Sequence, residues 1–527
     1  MAVNKIQLAD GTVLMDSSEV TVDSAHLMSG YTALDHTGTL ITGTASGGTS
    51  EMVEHNDVNF IDYDGTLLHS YTASEFSELN EMPDNPEHDG LTAQGWNWSL
   101  PDAQAYVAKY GKLVIGQSYI TESNNTEIDI VLEDALSPHL AIAPKGTVTI
   151  DWGDGTPTDT VTGTSNTTTK FTEHTYALAG SYTITLTLTS GSFEFYCSNV
   201  NYRGVLTDGA MFNRSGLYSR CVKAIRIGSN VLIGQYAFND CYNMEYITIP
   251  KGLTSFGTNT FYYCDSLKGA VIPDGLTTLS NNTFYWCHSM RYASVPHSLT
   301  TMGGATFYGC TSLMTINIPE GNTSIGNNMA YNCASLVSVT IPDGITTIGS
   351  TVFQNCYNLE SIVIPEGVTT IGKSAFQTCL TLKSVVIPDT VTSIDITAFS
   401  GCICLHNAHI STNLELLSNS LFSGCQTLQR ITIPDSVVTI GSSTFASAYM
   451  LDEVTIPAGV TSIGASAFNG CFGLETVHVL PTTPPTLGTK AFTSVPGTCI
   501  FYVPAGTIDA YKAATNWSAR ASKMIEE

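Results

Sequence analysis

The sequence predicts a mainly β, multidomain protein whose larger part is a solenoid of short repeats. Three observations support this fold class. Cysteine recurs every 23 residues through much of the C-terminal half of the 527-residue chain. Only 13% of the residues are charged and 45 are glycine, which suits strands and turns better than long charged helices. Runs of alternating apolar residues and Asp-Gly turns precede the repeats, and such runs predict half-buried strands.

The repeat is defined by three registers that agree with one another. Phe stands three residues before the recurring cysteine and Leu or Met three residues after it, with Ala330 the exception to the first register. About eleven units of this kind predict a solenoid over residues 241–479, because stacked copies of one unit share a continuous core. The cysteine register comprises Cys241, Cys264, Cys287, Cys310, Cys333, Cys356, Cys379, Cys402, Cys425 and Cys471, with Ala448 in the vacant place.

One unit, IPEGVTTIGKSAFQTCLTLKSVV from Ile364, shows how each repeat is expected to fold. Ile362 and Ile364 share the inner face of a short strand, while Ser361 and Val363 face away from the core. Pro365 then ends the strand, because proline cannot donate to a ladder. Stacked copies place parallel strands about 4.8 Å apart. The outward positions of the resulting sheet include Tyr246, Tyr292, Asn317, Ser338, Ser361, Asn407, His409, Arg430 and His478.

These residues resemble the BspA-like bacterial leucine-rich repeats, whose units are similar to IPxGVTSIGxxAFxxCxxLxSIxI. The resemblance covers about Gly228 to Val479. Residues 201–240 are expected to cap the array at its start, and residues 480–527 resemble the segment that often follows such arrays, which implies a C-terminal cap. Members of this family mostly act as surface adhesins or interaction scaffolds, so the resemblance implies a binding role.

The recurring cysteines are expected to be buried, reduced core residues. Each would have two equivalent neighbours, one coil away on either side, which argues against defined disulfide pairs. Cys402 and Cys404 with His406 and His409 come nearest to a zinc site, but zinc needs ligands that converge from several directions. We therefore predict no metal site in the repeats.

The first 57 residues are predicted to hold a small β attachment module, 1–45, and a linker, 46–57, that begins with a Gly/Ser/Thr stretch. The segment GYTALDHTGTLITGT resembles short modules near the N-termini of bacteriophage tail and baseplate-associated proteins. That resemblance implies attachment to a virion.

Residues 58–124 are predicted to form a small α+β module. Asp64-Gly65 between two apolar runs indicates a β-hairpin. A capping box formed by Thr72 with Glu75 begins one helix, and a second helix runs from about Pro101 to Tyr110 between Ser99 and Gly111. Trp96 and Trp98, just before it, are interpreted as a small core and not as a binding site.

The same segment offers an enzymatic alternative, because Asp62-Tyr63-Asp64-Gly65-Thr66 resembles the first motif of haloacid-dehalogenase-type phosphatases, with Asp62 as nucleophile. The later motifs of that family have no room before the next module begins, so the hairpin is favoured. The chain also lacks GxSxG, HExxH and P-loop patterns. We predict that the protein is not an enzyme.

Residues 125–200 resemble a PKD-type β-sandwich, a kind of domain that usually serves as a spacer or weak binding module. The matching residues are Asp151, Trp152, Gly153, Asp154, Gly155, His174, Tyr176, Gly180 and Tyr182. Asp151 and Asp154 could help to hold Ca²⁺, but a structural turn is favoured. No other cofactor is predicted.

An aromatic stripe is the candidate ligand-binding site. In four successive units the residue after the repeat phenylalanine is tyrosine, and later units hold Gln or Ser there, so the solenoid itself does not require aromatic rings. Exposed rings at this spacing could stack on sugars or anchor a protein, whereas the favoured alternative is that they pack on one another. The candidate residues are Tyr262, Tyr263, Tyr285, Trp286, Tyr308 and Tyr331.

Charge and segment composition narrow the partners. The formal net charge of −26 disfavours nucleic acid and anionic lipid, and no run of about eighteen apolar residues indicates membrane insertion. No secretory signal is recognisable at the start. The leading hypothesis is therefore a phage virion protein of the tail fibre or baseplate. Its repeats would bind a glycan or protein of the host surface, and its other partners would be virion tail proteins. The alternative is a BspA-like bacterial surface adhesin or interaction scaffold, located at the cell surface.

Overall fold

A computed structural model of the chain describes residues 57–133, 137–195, 206–207 and 219–527, together with four short strands near the N-terminus. The chain divides into two compact units, Met1–Asn56 and Asp57–Glu527. The first unit contains two antiparallel pairs, β1 (Lys5–Gln7) with β2 (Val13–Asp16) and β3 (Thr32–Leu34) with β4 (Leu40–Thr42). The rest of the predicted attachment module and linker lies outside the described residues.

The α+β module is a four-stranded sheet with two helices. The sheet order is β6-β5-β8-β7, with β5 antiparallel to β6 and parallel to β8. The predicted hairpin is confirmed, as are the capping box of α1 and the Ser99 and Gly111 caps of α2. The elements are β5 (Val58–Ile61), β6 (Leu67–Tyr71), α1 (Ala73–Ser77), β7 (Leu91–Trp96), α2 (Leu100–Tyr110) and β8 (Leu113–Thr121).

The strands of residues 126–195 share a sheet with the first coils of the solenoid. β9 pairs antiparallel with β15, and β13 runs parallel to β16. Arg226 of β15 stabilises the pairing of β15 with β9, because its guanidinium donates to Glu127 and Asp129 of β9. The elements are β9 (Thr126–Leu132), β10 (His139–Asp151), β11 (Asp159–Thr164), β12 (Lys170–Glu173), β13 (Gly180–Phe195), β14 (Leu206–Thr207), a 3₁₀ turn (Ser219–Cys221), β15 (Val222–Arg226) and β16 (Val231–Ile233).

The solenoid, of about 13 turns, carries two ladders of parallel strands. The first ladder, which we call the sheet face, consists of Tyr246–Thr248, Gly269–Val271, Tyr292–Ser294, Thr315–Asn317, Ser338–Thr340, Ser384–Val386, Asn407–His409, Arg430–Ile431, Glu453–Ile456, Thr476–Val479, Ile500–Val503 and Met524–Glu526. The second consists of two-residue strands at Thr278–Leu279, Thr301–Met302, Ser324–Ile325, Thr347–Ile348, Thr370–Ile371, Ser393–Ile394, Leu416–Leu417, Thr439–Ile440, Ser462–Ile463 and Thr486–Leu487. The mainly β fold class is thus confirmed.

The strand predicted at Ile362 to Ile364 is wrong in detail, because residues 361–364 do not form a strand, and this coil pairs with its neighbours only at Thr370–Ile371. Both isoleucines are nevertheless buried. Their inward orientation is therefore as predicted, although the strand itself is absent at this position.

One apolar core runs from Ile128 through the whole solenoid to Met524. The ten recurring cysteines are free and buried, as predicted. From Cys264 onward their thiols donate to the carbonyl of the residue at the phenylalanine position in the preceding coil, as from Cys264 Sγ to Phe238 O at 3.1 Å. A small side chain with a weak donor fits this buried place. Burial raises the pKa of the thiol, to about 12 for Cys402.

The C-terminal segment covers the open end of the core. Trp517 is fully buried, and its indole N–H donates to Pro485 O at 2.8 Å. Tyr511 likewise donates to Pro481 O at 2.6 Å. The segment contains α3 (Ile508–Ala513) and a 3₁₀ helix (Trp517–Lys523).

Candidate functional site

The tyrosine stripe, defined as Tyr262, Tyr285, Tyr308 and Tyr331, forms one continuous stack along the solenoid. Successive ring centroids lie 4.5 Å apart, and the planes differ by 2 to 16°. All four side chains are half-buried, and burial with the neighbouring phenols raises the pKa of Tyr308 to about 12. Because each ring lies on the next, the inner ring faces are closed to a sugar.

Tyr263 and Trp286 lie beside the stripe in a strained backbone conformation. Their φ angles are 60° and 58°, where a bulky residue is an outlier. Such strain costs about 1–3 kcal/mol and clusters at functional positions. Most later coils place residues here that adopt this conformation more readily, including Gly309, Asn332, Asn355, Gly401, Gly424 and Gly470.

The indole of Trp286 lies against the backbone of Gly309 in the next coil. A Cβ built on Gly309 would come within 2.4 Å of the indole ring. Tyr308 and His288 flank the indole, with ring centroids at 5.6 and 4.9 Å. The indole is half-buried, so part of it is available for contact.

The sheet face of the first coils is covered by the α+β module. Three module side chains donate to backbone carbonyls of three successive coils. Asn97 Nδ2 lies 2.8 Å from Ile272 O, Trp98 Nε1 2.8 Å from Val295 O, and Tyr106 OH 3.0 Å from Ile318 O. The three accepting carbonyls therefore occupy the same position in successive 23-residue repeats.

Apolar and close backbone contacts complete this interface. Ile61 and Val114 pack with Val271 and Tyr292 in a separate small core. Gly269 allows the backbones to approach, because a Cβ built there would lie 2.5 Å from the Cα of Gly65.

An ion pair lies where the interface ends. Lys109 Nζ is 3.0 Å from both Glu320 and Asp343, in the turns of two successive coils. Tyr110 donates its hydroxyl to Glu320 at 2.9 Å. The module thus contacts the sheet face through hydrogen bonds to backbone carbonyls, and it contacts the turns through ion pairs.

The outward positions of the first coils are covered, although the sequence indicates only that they face away from the core. Tyr292 and Asn317 are only 9% and 3% exposed, and Tyr246 packs against Tyr63 of the module. Asn317 accepts from Val114 N at 3.0 Å. The outward positions Thr248, Val271, Ser294 and Asn317 are buried, whereas Val363, Val386, His409, Thr432 and Thr455 are exposed. We call the uncovered part, from Ser361 to His478, the open face.

Comparison with known sequences identifies the repeats. Residues 212–329, 277–402 and 369–497 match the profile of the BspA type leucine rich repeat region, together more than half of the chain. The chain belongs to the BspA-type leucine-rich repeat family. No curated protein sequence matches it.

Solved structures of other leucine-rich repeat proteins are similar to the chain. A leucine-rich repeat protein from Bacteroides ovatus ATCC 8483 is 23% identical, with a TM-score of 0.51 over 65% of this chain and 97% of that one. A leucine rich cell surface protein from Faecalibacterium prausnitzii A2-165 is 27% identical over 48% of this chain and 80% of that one, with a TM-score of 0.29. The first likeness supports the solenoid fold.

The other candidate metal-binding and catalytic side chains of this BspA-type chain mostly form hydrogen bonds to other residues of the chain. Both carboxylate oxygens of Asp154 are engaged, one by Thr156 and one by His174 Nε2 at 2.8 Å. Asp62 is buried and lies 2.6 Å from His88 Nε2. The thiol of Cys402 donates into the core while Cys404 is exposed. Within the described ranges, no three or more His, Cys, Asp or Glu side chains are grouped to hold a metal ion.

The described helices include none that is long and apolar enough to cross a membrane.

Proposed function

We propose that this BspA-type chain is a non-enzymatic binding protein of the bacterial cell-surface type, with the solenoid as its interaction scaffold. The observation that carries the proposal is the seat of the α+β module on the sheet face. The first coils hold a folded module through hydrogen bonds to backbone carbonyls, apolar contacts and an ion pair. The sheet face therefore has the chemistry of a protein-binding surface. The later coils leave the same face open.

The surface location draws on the family and on the protein from Faecalibacterium prausnitzii, which is described as a cell surface protein. The phage virion hypothesis depends on GYTALDHTGTLITGT, of which only Thr32–Leu34 and Leu40–Thr42 lie within the described residues. None of the similar proteins named above is a phage protein. We therefore favour the adhesin or scaffold over the virion protein.

The aromatic stripe is proposed as a second contact surface, with Tyr263 and Trp286 as the anchoring residues. Their strained backbone supports this, because the solenoid accepts less strained residues at the same place. The stacked tyrosines act as their support. We further propose that the PKD-like strands serve the solenoid as a cap, since they extend its sheet.

Location and binding are tested separately. Intact source cells are treated with a protease, and the peptides that it releases are identified. Purified virions from the same culture are probed with an antibody against the chain. We expect release from intact cells, whereas recovery of the chain in virions would support the phage hypothesis. Binding of the purified chain to arrays of glycans and surface proteins should fall for Trp286→Asn if the stripe is a contact surface. Unchanged binding by this variant would remove the stripe from the proposal.

A further inference from the structure

The turn prolines leave one backbone carbonyl of most coils without a ladder partner. The residue before the proline donates its N–H to the next coil, as from Ile272 to Ser294 O and from Ile387 to His409 O, both at 3.0 Å. In a parallel ladder the carbonyl of that residue accepts from one position further along the neighbouring strand. That position is proline, which has no N–H.

The carbonyl of Ile456, which does have a ladder partner, supports this explanation. The coil that follows it has Leu480 where most of the other coils have proline, and the N–H of Leu480 donates to Ile456 O at 3.0 Å. We call the unpaired carbonyls the carbonyl row. Asn97, Trp98 and Tyr106 of the module bind three successive members of this row, at Ile272, Val295 and Ile318.

The carbonyl row continues beyond the module. Among the described residues, no protein N–H or O–H donates to the carbonyls of Ile341, Ile364, Ile410 and Ile433, which face Pro365, Pro388, Pro434 and Pro457 of the next coils. Beside them Val363 is 77% exposed and Val386 62% exposed. The open face therefore repeats the features that the module uses, a row of acceptors beside apolar side chains.

Acidic side chains also recur in the turns of the coils beyond the module. Glu320 and Asp343 bind Lys109 of the module, and the same turn position carries the exposed Glu366, Asp389 and Asp435 in later coils. With a net charge of −26 over the chain, a cationic partner is attracted over a long range.

We propose that the open face binds a cationic polypeptide, which docks beside the module and continues its interface. Amide, indole or phenol donors of this partner cap the carbonyl row, its apolar side chains cover Val363 and Val386, and its Lys or Arg side chains pair with Glu366 and Asp389. The proposal rests on the scaffold function proposed above and names the partner class for the sheet face.

The test uses the full-length chain and a displayed library of random 12-residue peptides. Peptides selected on the wild-type chain should be rich in Lys or Arg together with Asn, Trp or Tyr. Val363→Asp with Val386→Asp should weaken them by about tenfold or more, as expected when a central apolar contact is lost. Leu178→Asp is the matched control, because Leu178 is 72% exposed in the turn between β12 and β13, and this variant should bind as the wild type does.

Charge is tested by Glu366→Gln with Asp389→Asn. We expect weaker binding and a smaller dependence of affinity on salt, whereas Asp509→Asn near the C-terminus should change neither. Equal thermal unfolding midpoints would show that the variants are folded.

Three outcomes would overturn the proposal. They are a selection that yields no peptides, a selection that yields peptides without basic residues, and peptides that bind the Val363→Asp, Val386→Asp variant unchanged. A concentration-dependent dimer in analytical ultracentrifugation that this variant abolishes would assign the open face to a second copy instead. Glycan or cell-surface binding that is lost only with Trp286→Asn would leave the proposed function in place and remove the open face from it.

Discussion

The indole N–H of Trp98 donates to the carbonyl oxygen of Val295 at 2.8 Å, joining two residues 197 positions apart in the sequence. Trp98 is also packed on Tyr106 and His297. The α+β module is therefore packed against the sheet face of the solenoid.

Replacing Trp98 by Phe should loosen the module without unfolding the solenoid. The variant keeps an aromatic ring but leaves Val295 O without its donor, a loss of about 1–3 kcal/mol for a buried group. Trp96→Phe is the control, since Trp96 donates to Pro83 within the module. Limited proteolysis should cut residues 57–124 faster in Trp98→Phe than in Trp96→Phe. Equal rates would contradict the docking role of Trp98.

Gly269→Ala should destabilise the protein more than Gly459→Ala, because Gly269 lies against the module. The added Cβ would meet the Cα of Gly65 at 2.5 Å, and overpacking of this kind destabilises by about 1–3 kcal/mol. At Gly459 the nearest atom to such a Cβ is 3.3 Å away, so Gly459→Ala should be tolerated. Denaturant unfolding of both variants measures the difference, and equal stabilities would argue against the close approach.

The stacked tyrosines should contribute to stability according to the number of stripe tyrosines on which each one stacks. Tyr285 stacks on two members of the stripe and Tyr331 on one, and each aromatic pair is worth about 0.5–1.5 kcal/mol. Tyr285→Gln should therefore lower the free energy of unfolding about twice as much as Tyr331→Gln. Glutamine is the matched replacement, because Gln354 and Gln377 occupy this place in later coils. Equal losses would contradict the stacking account.

Thiol labelling should separate Cys404 from the cysteines of the repeat. The thiolate is the reactive form, and burial that raises the pKa of Cys402 to about 12 leaves almost none of it at pH 8. Cys404 is exposed. Mass spectrometry after brief iodoacetamide treatment should find Cys404 labelled and Cys402 unlabelled until denaturant is added. Early labelling of Cys402 would contradict its burial.

The periodic features of the fold could be predicted from the sequence because they repeat. The cysteine and leucine registers, with Pro365 and its equivalents, indicate inward and outward positions one coil at a time. Hairpin and helix caps such as Thr72 with Glu75 are local and could also be predicted.

The docking of the module could not be predicted, since it joins residues about 200 positions apart that share no period. Trp98 was interpreted only as core, although its indole also reaches across to the solenoid. One signal was present. Outward positions of the early coils carry large side chains, as at Tyr246 and Tyr292, where the later coils have Ser361 and Ser384. Tyrosines at outward positions of neighbouring coils indicate a covered surface.

The central claim is that the sheet face is a binding surface occupied by the chain's own module. Zero-length crosslinking tests this claim most directly. Lys109 Nζ lies 3.0 Å from Glu320 and from Asp343, so carbodiimide treatment followed by peptide mass spectrometry should find Lys109 joined to one of these two side chains. Lys109→Gln should abolish this product, and Lys383, which pairs with Glu360 within the repeats, serves as the internal control. Formation of the Lys383 product without the Lys109 product would contradict the account.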